Sequence, residues 1–139
     1  MMQQSKGLES YRVLIIDDRF EARAMLKNML MELGITQVFE AGDGKEGMQF
    51  VDSAMDFVDI IISDWNMPEM DGATLLRQIR SCDPDMPFLM VTGRGDIRSV
   101  SEAKSSGVSA YILKPYSLVQ LEAKLRVVAA RREQAVGLV

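Results

Sequence analysis

Short runs of aliphatic and β-branched residues recur along the chain, each followed by a stretch in which apolar residues return every three or four positions. The runs are Val13-Leu14-Ile15-Ile16, Ile60-Ile61-Ile62, Phe88-Leu89-Met90-Val91 and Ala110-Tyr111-Ile112-Leu113, with a weaker one over 37–41. None alternates apolar with polar. A strand with one wet face would alternate, whereas a strand covered on both faces is apolar throughout, so these runs predict parallel strands in the middle of a layered fold. The stretches between them predict helices. The first carries Ala22, Met25, Leu26, Met29, Leu30 and Leu33 and stops at Gly34; Met25 and Met29 are expected to be pliable core filler. After the turn Gly42-Asp43-Gly44 come Met48, Val51 and Met55, and after Asp71-Gly72 come Leu75, Leu76 and Ile79, with Pro84 and Pro87 marking the break. The stretch 97–106, closed by Gly107, has a thin apolar face of Ile97, Val100 and Ala103. The last stretch places Leu118, Leu121, Leu125 and Val128 inward and is expected to close near Ala130, where Arg131-Arg132 suits a helix C-terminus.

Five strand–helix units in succession predict an α/β fold, a doubly wound five-stranded parallel sheet with helices on both faces. The expected organisation is one domain over 11–130 with tails at 1–10 and 131–139. At 139 residues no second full domain is expected. The apolar share of 47% is that of an ordinary globular protein, and a net charge of −4 supplies no basic surface, which argues against nucleic-acid binding. A single cysteine, Cys82, rules out an internal disulfide; with a polar start and no apolar run able to span a bilayer, the chain is expected to be cytoplasmic and free of membranes. Histidine is absent, so any phosphate chemistry must be carried by oxygen ligands.

Every predicted strand except the second ends in a polar residue: Asp17-Asp18, Asp64, Thr92 and Lys114. In a parallel sheet these ends share one edge, and sites of α/β folds lie beyond it. Any one of these residues has an ordinary structural explanation, since aspartates often cap helices and threonine often ends strands. Their combination changes the picture. Two carboxylates about 4 Å apart repel by about 4 kcal/mol at an effective dielectric of about 20, so three require a cation. Magnesium takes hard oxygens and retained waters, which Asp18, Asp64 and the backbone carbonyl of Asn66 can provide, with Asp17 acting through water. An aspartate can also attack phosphorus; the spreading negative charge would then fall to the metal, Lys114 and Thr92. Trp65 is expected to be a partly exposed loop aromatic, and Tyr111 reads equally well as a packed aromatic or as a moving one.

Together, Asp17-Asp18, Asp64-Trp65-Asn66-Met67-Pro68, Asp71-Gly72, Thr92-Gly93, Tyr111 and Lys114-Pro115 resemble the response-regulator receiver family over nearly the whole chain, most of all its single-domain chemotaxis members. The resemblance implies a flavodoxin-like sheet of order 2-1-3-4-5 and a cis Lys114-Pro115 bond. It implies Asp64 as phosphoacceptor, Asp17, Asp18 and the Asn66 carbonyl as magnesium ligands, Lys114 as a phosphoryl ligand, and Thr92 with Tyr111 as the switch. The implied partners are a sensor histidine kinase, a phosphatase, and a target, a flagellar switch protein or other effector. The target would dock on the face formed by 97–106, the fifth strand and the last helix, around Arg98, Lys104, Tyr111 and Glu122. Such a protein is a signalling module whose own catalysis is limited to self-phosphotransfer and hydrolysis. Arg19 and Arg94 depart from the family pattern and bring positive charge to the mouth of the site. The alternatives are a receiver cut from a longer regulator, a magnesium-dependent phosphohydrolase, and a flavodoxin-like cofactor carrier. The hydrolase would need a second acid where Asn66 stands, and the carrier a phosphate loop that the first strand lacks.

Overall fold

A computed structural model of the chain describes residues 7–93, 101 and 107–137, with side chains through 130. Five strands, β1 (Arg12–Ile16), β2 (Gln37–Ala41), β3 (Ile60–Asp64), β4 (Phe88–Thr92) and β5 (Ala110–Leu113), pair in parallel in the order β2-β1-β3-β4-β5. Helices α1 (Phe20–Glu32), α2 (Gly44–Ala54) and α3 (Gly72–Cys82), with a C-terminal helix Leu118–Gly137, cover the two faces. The weakest apolar run, β2, is an edge strand, half open to solvent.

The unalternating runs resolve into two alternations laid over each other. Val13, Ile15, Ile60, Ile62, Leu89, Val91 and Ile112 pack with Leu26 and Leu30 of α1 and with Leu121, Leu125 and Val128 of the C-terminal helix. Leu14, Ile16, Ile61, Phe88 and Met90 point the other way, onto Val51 of α2 and Leu75, Leu76 and Ile79 of α3. Ile60, Ile61 and Ile62 are all sealed from solvent, and each fully buried aliphatic side chain contributes about 1.5–3 kcal/mol. This anchors β3, the central strand of the sheet, and it delivers Asp64.

Asp43 caps α2 by accepting a hydrogen bond from the Glu46 backbone N–H at 2.7 Å, and Asp71 caps α3 by accepting one from the Thr74 N–H at 2.8 Å. Asp71→Ala should therefore cost about 1 kcal/mol. A urea midpoint unchanged from wild type would show the cap to be idle.

The structure corrects three expectations. Met25 is 65% exposed, because the buried stripe of α1 is centred on Leu26 and Leu30 and Met25 stands at its flank. Trp65 is buried, because its N–H donates to the Val91 carbonyl at 2.9 Å. The strand pairing thus runs one residue past Asp64, and period-two alternation sends the indole to the same face as Ile61. The last helix does not close near Ala130 but continues to Gly137; arginine, glutamate, glutamine and alanine propagate a helix well. Before β1, a 3-10 turn Leu8–Ser10 buries Leu8 against the α1 side of the sheet, an extension of the core into the expected N-terminal tail. Of the helix expected over 97–106 only Ser101, which is helical and exposed, is among the described residues; Arg94, Arg98 and Lys104 lie outside them. Among those described, no helix is long and apolar enough to cross a membrane.

Candidate acidic site at the carboxyl edge of the sheet

Strand register brings the polar strand ends together. Ile16 pairs with Ser63 and Asp64 with Val91, so Asp17 and Asp18 follow β1 beside the end of β3, and Thr92 ends β4 on the other side. Lys114 lies just past β5, its N–H donating to the Thr92 carbonyl at 2.8 Å. Carboxylate oxygens of Asp17, Asp18 and Asp64 lie within 4.8 Å of one another. Asp17 and Asp64 are buried and Asp18 is exposed, so the cluster has a closed floor and an open mouth.

The ammonium of Lys114 stands 3.5 Å from Asp64 Oδ1 and 3.8 Å from Asp17 Oδ2. Among the described residues Lys114 is the cation in ion-pair range of these carboxylates, one ammonium against three acids. Burial raises the Asp64 carboxyl above its ordinary value, and Asp17 raises it further; Lys114 and the Trp65 backbone N–H oppose the rise without cancelling it. An all-oxygen cluster with unbalanced negative charge and one open side fits a hard divalent cation such as magnesium. Asp17, Asp18 and Asp64 would hold it, and it would offset the repulsion that Lys114 leaves.

Asn66 follows in the loop between β3 and α3 and is exposed. Thr92 is buried at 3% exposure. Tyr111, opposite Met90 in the β4–β5 register, is partly buried, and the Lys124 ammonium lies 5.4 Å from its ring centroid. Arg19 is exposed; its N–H donates to Asp17 Oδ1 at 2.9 Å, and its side chain lines a groove of about 440 Å³ shared with Met25, Lys114, Pro115 and Tyr116. The Lys114-Pro115 bond is cis.

Two residues near the site escaped the reading of the sequence. The Tyr116 phenol is pushed up to about 12 by burial and by the charges of Asp17 and Asp64, so it keeps its proton throughout the neutral range. Its only signal was its place two residues past Lys114. Arg23 donates from Nη1 to the backbone carbonyl of Asp17 at 2.7 Å; a cation six residues past the acid, on the first turn of a helix, was the available sign.

Residues 13–126 match the response regulator receiver domain model. The chain is 38% identical over 119 residues to the chemotaxis protein CheY1 of Helicobacter pylori, covering 84% of this chain and 95% of that one. A receiver domain protein from Clostridium thermocellum has a similar structure, with a TM-score of 0.84 at 26% identity over 90% of this chain and 98% of the other. The CheX–CheY–BeF3–Mg complex of Borrelia burgdorferi aligns with a TM-score of 0.80 at 26% identity, covering 85% and 88%.

Proposed function

This chain belongs to the response regulator receiver family of two-component signalling, and we propose that Asp64 is its phosphoacceptor, modified by a sensor histidine kinase in a magnesium-dependent reaction that changes which partner the domain binds. The observation that carries this reading is the Lys114 ammonium 3.5 Å from Asp64 Oδ1, at an edge where two further aspartates converge.

In the transfer, an Asp64 oxygen attacks phosphorus as the bond to the donor imidazole nitrogen breaks; the nitrogen keeps the electron pair, and an acyl phosphate remains on Asp64. Hydrolysis reverses the loading, as water attacks phosphorus, the bond to Asp64 breaks, and orthophosphate leaves. Bound magnesium would neutralise phosphoryl oxygens as charge spreads over them. Lys114, 3.5 Å from Asp64, would neutralise the remaining side, and the Asn66 backbone carbonyl would add a further oxygen ligand for the metal. Raising the Asp64 carboxyl has a cost, since only the carboxylate attacks, and a benefit, since a more basic carboxylate is the better nucleophile.

Phosphorylation adds about −1.5 to −2 charge units. Thr92, two residues beyond the position opposite Tyr111, would turn its hydroxyl toward that charge and let the aromatic move. Leu113 on β5 and Val119 and Val127 on the C-terminal helix are exposed, apolar groups suited to contact with a partner, which supports these two elements as part of the target face. The relatives' chemotaxis names make a flagellar switch protein the leading candidate target.

Acetyl phosphate with magnesium should add one phosphoryl group, read by intact mass, and magnesium alone should change the emission of Trp65, the single tryptophan, which adjoins Asp64. Asp18→Ala should abolish that emission change. Modification that proceeds equally in a chelator would exclude the metal from the reaction.

A further inference from the structure

Arg23 holds the acid edge from behind. Its Nη1 donates to the Asp17 carbonyl at 2.7 Å, its Nε bonds Glu40 Oε1 on β2 at 3.2 Å, and its guanidinium carbon lies 5.8 Å from the ring centroid of Phe20. Lys27 reaches the other Glu40 oxygen at 3.6 Å. The guanidinium is therefore fixed at two ends by rigid elements, α1 that carries it and β2 that anchors it.

The carbonyl it grips belongs to the peptide joining Asp17 to Asp18. That peptide leaves the sheet here, since the Asp17 N–H still pairs with the Ala41 carbonyl at 3.2 Å while Asp18 is exposed. Gripping the carbonyl fixes the peptide plane, and the plane sets the direction in which the Asp18 backbone departs. Asp17's own carboxylate is tied separately, to the Arg19 N–H at 2.9 Å. We infer that Arg23 is a positioning residue for the metal-binding acid pair, acting by orienting the Asp17–Asp18 peptide rather than by its charge. The inference deepens the proposed function and rests on it.

The sign of the effect separates the two roles. If Arg23 acted only as a nearby cation, removing it would lower repulsion toward a divalent ion and tighten binding. If it positions the acids, removing it loosens them, and lost outer-shell partners typically cost about 10–100-fold in metal affinity. The test is an equilibrium magnesium titration of the full chain, followed by Trp65 emission, in wild type, Arg23→Met, Arg23→Lys and Glu40→Gln. Arg23→Met keeps the aliphatic stem and the helix propensity but has no donor; it should weaken magnesium about 10-fold or more. Arg23→Lys keeps one donor for the carbonyl and should recover part of the loss, while Glu40→Gln still accepts from Nε and should stay near wild type. Phosphoryl incorporation in Arg23→Met should approach the wild-type rate once magnesium is saturating. Equal or tighter binding by Arg23→Met overturns the assignment of Arg23 alone. A wild type that does not bind magnesium overturns the proposed site and this inference together.

Discussion

Asp64→Asn is expected to abolish phosphoryl incorporation and, at the same time, to stabilise the metal-free protein at neutral pH. The first effect follows from chemistry, because a carboxamide offers no anionic oxygen to attack phosphorus. The second follows from linkage. Burial, and then Asp17, raise the Asp64 carboxyl above its ordinary value of 3.8. As pH climbs through that value the unfolded chain releases its proton first while the folded chain keeps it. Stability therefore falls from about the ordinary value up to the folded one, and the full deficit is present above both. Asparagine has no charge to desolvate. In chelator, the urea midpoint of Asp64→Asn should exceed that of wild type at pH 7, and the gap should close as pH drops below the ordinary carboxylate value. Magnesium should narrow it from the other side, because a ligand of the folded state stabilises by RT ln(1 + [L]/Kd) and the variant, having lost one metal ligand, has the larger Kd. A variant that still takes up phosphoryl from acetyl phosphate would remove Asp64 as acceptor, and equal midpoints at pH 7 would show that Asp64 is not strained by its burial.

Gly72→Ala should be among the most destabilising single-methyl changes in the chain. A Cβ at this position would lie 2.6 Å from the Asp64 carbonyl oxygen, 2.8 Å from Met90 Sδ and 3.0 Å from Trp65 Cα. Two of these are backbone atoms at the end of the central strand, and the Gly72 N–H is itself bonded to the Trp65 carbonyl at 2.8 Å, so α3 cannot back away without breaking its junction with β3. The cost should reach the upper end of overpacking, about 3 kcal/mol, and the molecules that still fold should phosphorylate slowly because Asp64 has been displaced. Gly47 is the control. A Cβ there meets only side-chain atoms, Ile16 Cδ1 at 2.6 Å, Cγ1 at 3.1 Å and Cγ2 at 3.3 Å; Ile16 is sealed in the core, but no backbone atom is in the way, and alanine in a helix interior gains about 1 kcal/mol over glycine. Gly47→Ala should thus cost distinctly less than Gly72→Ala in urea; equal midpoints for the two alanine variants would mean that the backbone around Asp64 yields freely.

The residues brought to the carboxyl edge were visible beforehand because each terminates a strand, and parallel strands place their ends together. Distances were not visible. Nothing in the spacing of Asp17, Asp64 and Lys114 told that the lysine would contact both acids, or that Asp18 would be the open one. Arg23 and Tyr116 stayed hidden for a related reason. Each is tied to the site through a neighbour in space, Arg23 through a main-chain carbonyl that has no sequence signature and Tyr116 by the charges of the acids, felt from a buried position.

By itself the chain determined the strands, most of the helices and the edge on which the polar groups collect, because period and apolar run length are local properties that tertiary packing reinforces. Only the folded arrangement decided which face each of those apolar residues occupies. Trp65 went inward because β3 pairs with β4 one residue further than Asp64, Met25 stayed outside because the sheet meets α1 along Leu26 and Leu30, and Leu8 joined the core from a polar segment. In each case the outcome depends on where a neighbouring element ends or lies, a long-range quantity that no window of local sequence contains.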